Sequence, residues 1–251
     1  MRVLVLGGTS EANKLAHLLA EASGISATVS FAGRTKAILA PPISCRIGGF
    51  GGVEGLIDYL KAENIDVLID ATHPFAEQIS RHAEIAAKRA KIPLAVLSRP
   101  AWVRTVQDLW IDAADKTDAA LALGHEPRRV FLTIGRLQIE AFAKAPQHFY
   151  LVRTIEPLAL PPRLPNYRVI HGRGPFVVEA EEKLLREESI DVVVTKNSGG
   201  EAAFAKILAA RNLRIPVIMV ARPGEAMQAA MHDPGEVMDC ILRHQLARRG
   251  V

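Results

Sequence analysis

A glycine turn, Gly7-Gly8-Thr9-Ser10, separates an aliphatic run from a segment with helical periodicity near the start of the chain. Glycines allow a tight turn and a close approach of the backbone to a phosphate, and the N-terminus of the following helix attracts anions. Thr9 and Ser10 could cap that helix or bond phosphate oxygens. The turn lacks the full G-x-G-x-x-G pattern, so an ordinary strand-to-helix turn is the alternative. We assign the four residues to a cofactor phosphate.

A second candidate for cofactor binding follows the next predicted strand, where the chain reads Gly33-Arg34-Thr35. Folds specific for NAD usually carry an acidic residue here, which binds the ribose hydroxyls. Arginine instead can bind a 2′-phosphate through two hydrogen bonds. Arg34 and Thr35 therefore favour NADPH as the cofactor, with a solvated loop arginine as the alternative.

A histidine stands where another predicted strand gives way to a helix, in the segment Asp70-Ala71-Thr72-His73-Pro74-Phe75-Ala76. Pro74 suits the first turn of a helix, where its missing N–H costs nothing. His73 is then expected at the carboxyl edge of a sheet, where it could donate a proton or bind a ligand. A capping loop with an exposed histidine would explain Pro74 but not His73. We assign Thr72 to the cofactor site and His73 to catalysis.

A matching segment in the second half reads Thr195-Lys196-Asn197-Ser198-Gly199-Gly200. Small residues, a helix N-terminus and one lysine make a plausible site for an anion. The spacing is not that of a nucleotide-triphosphate P-loop, and a glycine-rich turn with a surface lysine is the alternative. Lys196 is assigned to both catalysis and substrate binding, and Ser198 and Gly199 to substrate binding.

Several arginines stand near the ends of predicted strands, and a group facing one site would suit a ligand with many carboxylates. Of these we assign Arg136 and Arg173 to substrate binding. Each arginine alone is as readily explained by a surface position or a structural ion pair. The full set is Arg99, Arg136, Arg153, Arg173 and Arg222.

Other chemistries lack their sequence patterns. The chain has no G-x-S-x-G turn, no metal-ligand spacing among its 8 histidines and no C-x-x-C pair, which favours chemistry carried by a bound cofactor. A net charge of +4 without a dense basic stripe argues against nucleic acid. Two distant cysteines, no apolar run long enough to span a membrane and a strand predicted from Arg2 favour the cytoplasm.

Aliphatic runs alternate with amphipathic segments along the 251 residues, which is typical of parallel strands connected by helices. The pattern predicts an α/β protein. Most of its strands read as continuous aliphatic runs, as burial on both faces requires. Among the less regular elements we expect a short strand over 109–111 and helices over 137–144 and 201–211.

The pattern is also repeated. The run Val3-Leu4-Val5-Leu6 returns 127 positions later at Val130, Ile65-Asp66-Val67 returns 125 later at Ile190, and Ile92-Pro93 returns 123 later at Ile215. We therefore expect two Rossmann-like domains, 1–98 and 99–251, with ligands in a cleft between them. The connecting segment could pass a strand from one sheet to the other.

Together these segments resemble the precorrin-6A reductase family of cobalamin biosynthesis, which includes its cobalt-precorrin counterpart. The specific motifs are Asp70-Ala71-Thr72-His73-Pro74-Phe75-Ala76 and Thr195-Lys196-Asn197-Ser198-Gly199-Gly200. Weaker matches support them at Gly7-Gly8-Thr9-Ser10-Glu11, Arg99-Pro100 with Trp102, Thr133-Ile134-Gly135-Arg136 and Arg173-Gly174-Pro175-Phe176. The matches follow in order over almost the whole chain.

The resemblance implies an oxidoreductase that uses NADPH to reduce one carbon–carbon double bond of the precorrin-6A macrocycle, giving precorrin-6B. The implied partner is the tetrapyrrole, with transient contact to neighbouring pathway enzymes. The sequence leaves the proton donor open among His73, Lys196 and solvent, and it does not distinguish a cobalt-bearing substrate from a metal-free one. A synthase, isomerase or sensor that binds a tetrapyrrole without redox chemistry is the alternative, and Arg34 counts against it.

Overall fold

The structure is a computed structural model that describes residues 1–33, 41–158, 160–223 and 230–249. The chain forms two compact units, one of Met1–Pro100 with Gly224–Val251 and one of Ala101–Pro223. The second unit therefore ends earlier than the 99–251 expected from the sequence. The reason is that the C-terminal helix packs on the first unit.

The first unit contains a sheet of five parallel strands in the order β3-β2-β1-β4-β5. The strands are β1 Arg2–Leu6, β2 Ser26–Phe31, β3 Ser44–Ile47, β4 Val67–Asp70 and β5 Leu94–Val96. Its helices are α1 Ser10–Glu21, α2 Val53–Ala62, α3 Glu77–Ala90 and, from the end of the chain, α7 Pro234–Arg249.

Two apolar clusters cover the faces of this sheet. Leu15 and Leu19 of α1 pack with Val237 and Ile241 of α7 on one face, at the spacing of four that a helical stripe requires. The other face contacts α2 and α3, with Leu56 among the fully buried side chains. Burial of both faces explains why the central strands are aliphatic throughout.

The second unit has a parallel sheet in the order β6-β11-β10-β7-β8-β9. Its strands are β6 Trp110–Ala113, β7 Arg129–Thr133, β8 Phe149–Thr154, β9 Tyr167–His171, β10 Val192–Lys196 and β11 Val217–Val220. Its helices are α4 Lys116–Leu121, a 3₁₀ helix Arg136–Lys144, α5 Val178–Glu187 and α6 Ala205–Asn212.

The strand registers confirm that the two sheets are alike. Leu6 pairs with Asp70, which pairs with Val96. In the second sheet Thr133 pairs with Thr195, which pairs with Met219. These partners are separated by 127, 125 and 123 positions (6 to 133, 70 to 195 and 96 to 219), which are the offsets of the sequence echoes.

An additional pairing at one edge of each sheet explains why the first unit consists of two separate segments of the chain. In the second unit Val220 of β11 pairs with Ala113 of β6, a strand that comes before β7 in the chain. In the first unit Leu97 makes the equivalent parallel bridge to Met231, which comes after β11. The segment that follows the first half of the chain therefore pairs with the second sheet, and the segment that follows the second half pairs with the first sheet. This is the exchange of an edge segment that was expected from the sequence.

Three local features differ from the sequence-based expectation. Strand β3 was not expected, because its Ser44-Cys45-Arg46-Ile47 sequence is short and mostly exposed at an edge. The helix predicted over 137–144 is a 3₁₀ helix that begins at Arg136 after Gly135. Helix α6 begins at Ala205 rather than at 201. None of the helices that the structure describes combines the length and apolar character needed to cross a bilayer.

Candidate active site

The predicted site residues form two groups, one at the carboxyl edge of each sheet. In the first unit the Gly7–Ser10 turn follows β1 and the Thr72–His73 segment follows β4, and these two strands are neighbours. In the second unit Arg136 follows β7, Arg173 follows β9, and Lys196 ends β10 and is followed by Ser198 and Gly199. Parallel sheets bind ligands at this edge, so each group is in a position to bind one.

The two glycines of the first turn have different roles. Gly7 lies against β2, where its N–H donates to the Ser30 carbonyl at 2.9 Å and an added Cβ would lie 2.7 Å from Cγ2 of Val29. Gly8 has a φ of +129°, and an added Cβ would have no neighbour within 4 Å. Gly7 therefore permits close packing, whereas Gly8 leaves an open approach to the backbone.

The side chain of Thr9 is used to hold the turn. Its Oγ1 accepts from the Ala12 N–H at 3.1 Å and donates to the Ala71 carbonyl at 2.8 Å. Thr9 thus caps α1 and ties the turn after β1 to the loop after β4. Because Thr9 caps Ala12, the N–H groups of Ser10 and Glu11 are the remaining donors of the first helical turn. A phosphate near Gly8 would meet them.

An ion pair neutralises the acidic residue beside this turn. Glu11 Oε2 lies 3.7 Å from the Arg99 guanidinium, and both side chains are only 15% exposed. Burial lowers the pKa of Arg99, and the Glu11 carboxylate acts in the opposite direction. The pair reduces the negative field that Glu11 alone would direct at a bound phosphate.

The loop after β4 is shaped by the buried carboxylate of Asp70. Its Oδ1 accepts from the Thr72 N–H at 3.1 Å and from the Thr72 hydroxyl at 2.7 Å. The same hydroxyl lies 3.3 Å from Oγ of Ser80 on α3. Because the Thr72 hydroxyl donates its hydrogen bond to Asp70, its oxygen could still accept a hydrogen bond from a cofactor.

His73 is held in one tautomer by its own loop. Its Nδ1 accepts from the Phe75 N–H at 3.2 Å, so the neutral ring carries its proton on Nε2. The ring is half-buried, with its centroid 5.9 Å from that of Phe75. The geometry gives His73 a defined N–H with which to donate.

In the second unit, Lys196 lies over the turn that follows β7. Gly135, which precedes the 3₁₀ helix, has a φ of +81°, and an added Cβ would lie 4.0 Å from the Lys196 ammonium. Arg136 is the next residue and is exposed. Two of the predicted substrate residues therefore share one corner of the sheet edge.

Arg173 belongs to a loop that packs tightly against the segment after Gly200. An added Cβ at Gly174 would lie 2.4 Å from the Ala202 carbonyl, which also accepts from the Phe176 N–H at 3.2 Å. Glycine is thus required at 174 by close approach. Arg173 itself is exposed at the sheet edge.

Asn197 and Trp102 are structural members of this site that the sequence analysis did not single out. The Asn197 side chain exchanges two hydrogen bonds with the Trp102 backbone, and the Trp102 indole donates to the Gly200 carbonyl. The signal that could have found them is their place within the motifs that carry the family resemblance.

Three of the arginines considered for a polycarboxylate ligand have structural partners. Arg153 makes two hydrogen bonds to the buried Glu181, at 2.9 and 2.8 Å. Arg222 donates from Nε to the Asn197 carbonyl at 2.8 Å, and Arg99 pairs with Glu11. Arg99 and Arg153 therefore belong to structural ion pairs, as the alternative interpretation expected. Arg136 and Arg173 are exposed at the sheet edge.

The remaining predicted cofactor residues, Arg34 and Thr35, lie outside the described residues. Within the described ranges, no group of three or more His, Cys, Asp or Glu side chains is arranged to hold a metal ion.

Comparison with known proteins places this arrangement in a family. The family model for the precorrin-6x reductase CbiJ/CobK matches residues 2–242. The precorrin-6A reductase of Rhodobacter capsulatus is 45% identical over 250 residues, which are 100% of this chain and 99% of the relative. That of Sinorhizobium sp is 48% identical over 221 residues, covering 88% of this chain and 85% of the relative.

A solved structure described as CobK precorrin-6A reductase superposes with a TM-score of 0.90 at 45% identity, and 97% of each chain is covered. The likeness thus extends over the sequence and over both α/β units. The chain belongs to the precorrin-6x reductase family CbiJ/CobK.

Proposed function

We propose that this protein catalyses the NADPH-dependent reduction of one carbon–carbon double bond of precorrin-6A, giving precorrin-6B in cobalamin biosynthesis. The observation that carries the proposal is the full-length similarity to precorrin-6A reductases, together with candidate site residues at both sheet edges. The two free cysteines, Cys45 and Cys240, are in keeping with a reducing cytoplasm.

The carboxyl edge of the first sheet fits a dinucleotide. The open approach at Gly8 and the first N–H groups of α1 would bind the pyrophosphate, with the Glu11 charge offset by Arg99. Arg34 and Thr35 follow β2, where such a fold binds the adenosine ribose, and would bind a 2′-phosphate. When bound, NADPH supplies a hydride from the nicotinamide.

The carboxyl edge of the second sheet fits the other reactant. Precorrin-6A is a macrocycle with several carboxylate side chains, and Arg136, Arg173 and Lys196 offer cations at this edge. Ser198 and Gly199 follow Lys196 in a buried loop, where the Ser198 N–H donates to the Lys196 carbonyl at 2.7 Å, and they would hold Lys196 in position for the substrate. The role of the chain is to orient the acceptor carbon and to exclude water from it.

Reduction also needs a proton for the second carbon of the double bond. His73 would donate its Nε2 proton as the imidazolium, and forming the imidazolium requires the hydrogen bond from the Phe75 N–H to Nδ1 to open. Lys196 is the alternative donor. Either group would transfer its proton directly and recover it from solvent.

The decisive experiment is to incubate the protein with precorrin-6A and NADPH or NADH, while nicotinamide oxidation and the product mass are followed. We expect oxidation to depend on precorrin-6A, to be faster with NADPH, and to yield a product that has gained two hydrogens. In heavy water one of the two should be deuterium. Binding of precorrin-6A without any nicotinamide oxidation would instead favour a non-redox role.

A further inference from the structure

Three neighbouring strands of the second sheet are each followed by an exposed aliphatic side chain. Leu137 follows β7, Ile155 follows β8 and Val177 follows β9, and these side chains are 68%, 55% and 62% exposed. Strands β7 and β8 are themselves largely buried, whereas β9, at the edge of the sheet, is partly exposed. All three residues lie in the segments that follow the carboxyl ends of these strands, with Leu137 at the start of the 3₁₀ helix and Val177 just before α5.

A single exposed aliphatic residue is common and needs no explanation. Here three of them lie at one edge, after strands that are adjacent in the order β7-β8-β9. Neighbouring strands are about 4.8 Å apart, so the three loops leave the sheet over a span of about 10 Å. An apolar patch at a ligand-binding edge marks a contact surface.

The charges beside these residues define what such a surface would bind. Arg136 immediately precedes Leu137, and Arg173 lies in the same loop as Val177. The Gly172 N–H donates to the Thr154 carbonyl, which places the Arg173 loop beside the start of the Ile155 loop. The acidic residues within two positions of the three in sequence are Glu156, which is half-buried, and Glu179, which is exposed in the first turn of α5, so that the two exposed arginines leave an excess of positive charge. The edge therefore pairs aliphatic surface with cations.

We propose that Leu137, Ile155 and Val177 form an apolar strip that contacts a face of the precorrin-6A macrocycle, while Arg136 and Arg173 bind its carboxylates. This inference rests on the proposed function and adds a second recognition element to it. A tetrapyrrole is complementary to such an edge, because its ring is apolar and its periphery is anionic. A nicotinamide dinucleotide would use the arginines but would leave most of the strip unused.

The strip can be tested with Leu137→Ser, Ile155→Ser and Val177→Ser, each measured for the KM and Kd of precorrin-6A and for the Kd of NADPH. Removing an aliphatic contact from a binding site weakens binding by about tenfold or more, so we expect each variant to raise the tetrapyrrole Kd by about tenfold. The NADPH Kd should stay within about twofold. Leu137→Met should lose less affinity than Leu137→Ser, since it restores apolar contact.

A matched control is Leu121→Ser on α4, which removes a leucine that is 74% exposed in the same unit but away from this edge. It should leave both constants unchanged. Thermal unfolding of every variant should match the parent, because exposed side chains contribute little to stability.

The outcomes separate this inference from the proposed function. If the parent protein reduces precorrin-6A and all three variants bind it as the parent does, the proposed contact of the strip with the macrocycle is wrong, while the proposed function is retained. If the parent protein fails to oxidise NADPH with precorrin-6A but binds the macrocycle through the strip, the proposed reaction is wrong and the strip stands. An equal loss of NADPH affinity in the variants would also overturn the strip.

Discussion

Asn197 and Trp102 are joined by a reciprocal pair of hydrogen bonds within the second unit. Asn197 Oδ1 accepts from the Trp102 backbone N–H at 2.7 Å, and Nδ2 donates to the Trp102 carbonyl at 3.0 Å. The Trp102 indole donates to the Gly200 carbonyl at 2.9 Å, and Arg222 donates to the Asn197 carbonyl. The loop between Lys196 and Gly200 is therefore fixed from both sides by residues far away in sequence.

This relationship predicts that Asn197 positions Lys196 and Ser198 for the substrate. In Asn197→Ala both hydrogen bonds are lost and the Trp102 backbone groups lose their partner, at a cost of about 1–3 kcal/mol of stability. The KM for precorrin-6A should rise, while the Kd of NADPH, which is assigned to the other sheet, should stay unchanged. Steady-state kinetics and NADPH titration measure the two.

Two further variants distinguish positioning from a general loss of stability. Trp102→Phe keeps the two backbone bonds to Asn197 and removes only the indole bond, so its effect on KM should be smaller. Asn197→Asp keeps the acceptor and loses the donor, and should be intermediate. If all three variants lower the melting temperature but leave KM as in the parent, Asn197 is structural only.

The ion pair between Arg153 and Glu181 should be important for stability. Both side chains are buried (10% and 3% exposed), and the guanidinium lies 4.7 Å from the ring centroid of Phe131 and 4.3 Å from that of Phe176. Glu181→Ala leaves a buried charge without its partner, which typically costs about 3–5 kcal/mol. Urea unfolding should show this loss.

The exposed pair Lys183–Glu187 on the same helix provides the control for that measurement. Its members lie 3.8 Å apart and are 75% and 62% exposed, so Glu187→Ala should cost less than about 1 kcal/mol. Equal losses of stability from Glu181→Ala and Glu187→Ala would show that burial does not increase the contribution of the Arg153–Glu181 pair.

Much of the fold could be predicted because the repeat is carried by buried aliphatic strands. The offsets that relate Leu6 to Thr133 and Asp70 to Thr195 are visible in the sequence, and the strand registers reproduce them. The second unit begins at Ala101, close to the expected 99, but its end at Pro223 could not be predicted. The chain returns to the first unit through the bridge between Leu97 and Met231 and through the packing of α7 on α1, and contacts between residues so distant in sequence have no local signature.

The candidate site could likewise be predicted only where its residues are contiguous in the sequence. Turns such as Gly7–Ser10 are readable because the strand, the glycines and the helix are contiguous. The partner of an arginine is not readable, since Glu181 is 28 positions from Arg153 and Glu11 is 88 from Arg99. Arginines in buried ion pairs and arginines exposed at the sheet edge therefore cannot be distinguished in the sequence.

Arg34 is expected to determine the preference for NADPH over NADH. Replacing it with alanine removes a charge-assisted contact to the 2′-phosphate, worth roughly 1.5–3 kcal/mol, and should leave NADH binding little changed. Fluorescence titration with both cofactors measures the two affinities. Lys14→Ala, an exposed position on α1, is the control. An equal loss for NADPH and NADH would show that Arg34 does not bind the 2′-phosphate.

Lys196 should affect the tetrapyrrole more than the cofactor. Its ammonium lies over Gly135 at the edge assigned to the substrate, so Lys196→Ala should raise the KM of precorrin-6A by about tenfold or more and leave the NADPH Kd unchanged. The difference in KM between parent and variant should narrow as salt rises, because ion pairs that solvent reaches are screened. Lys183→Ala, with a 75% exposed side chain on α5, serves as the control.

Abolished NADPH binding with intact tetrapyrrole binding would mean that the two ligands are assigned to the wrong sheets. A change in kcat with unchanged KM would instead make Lys196 the proton donor rather than a binding residue.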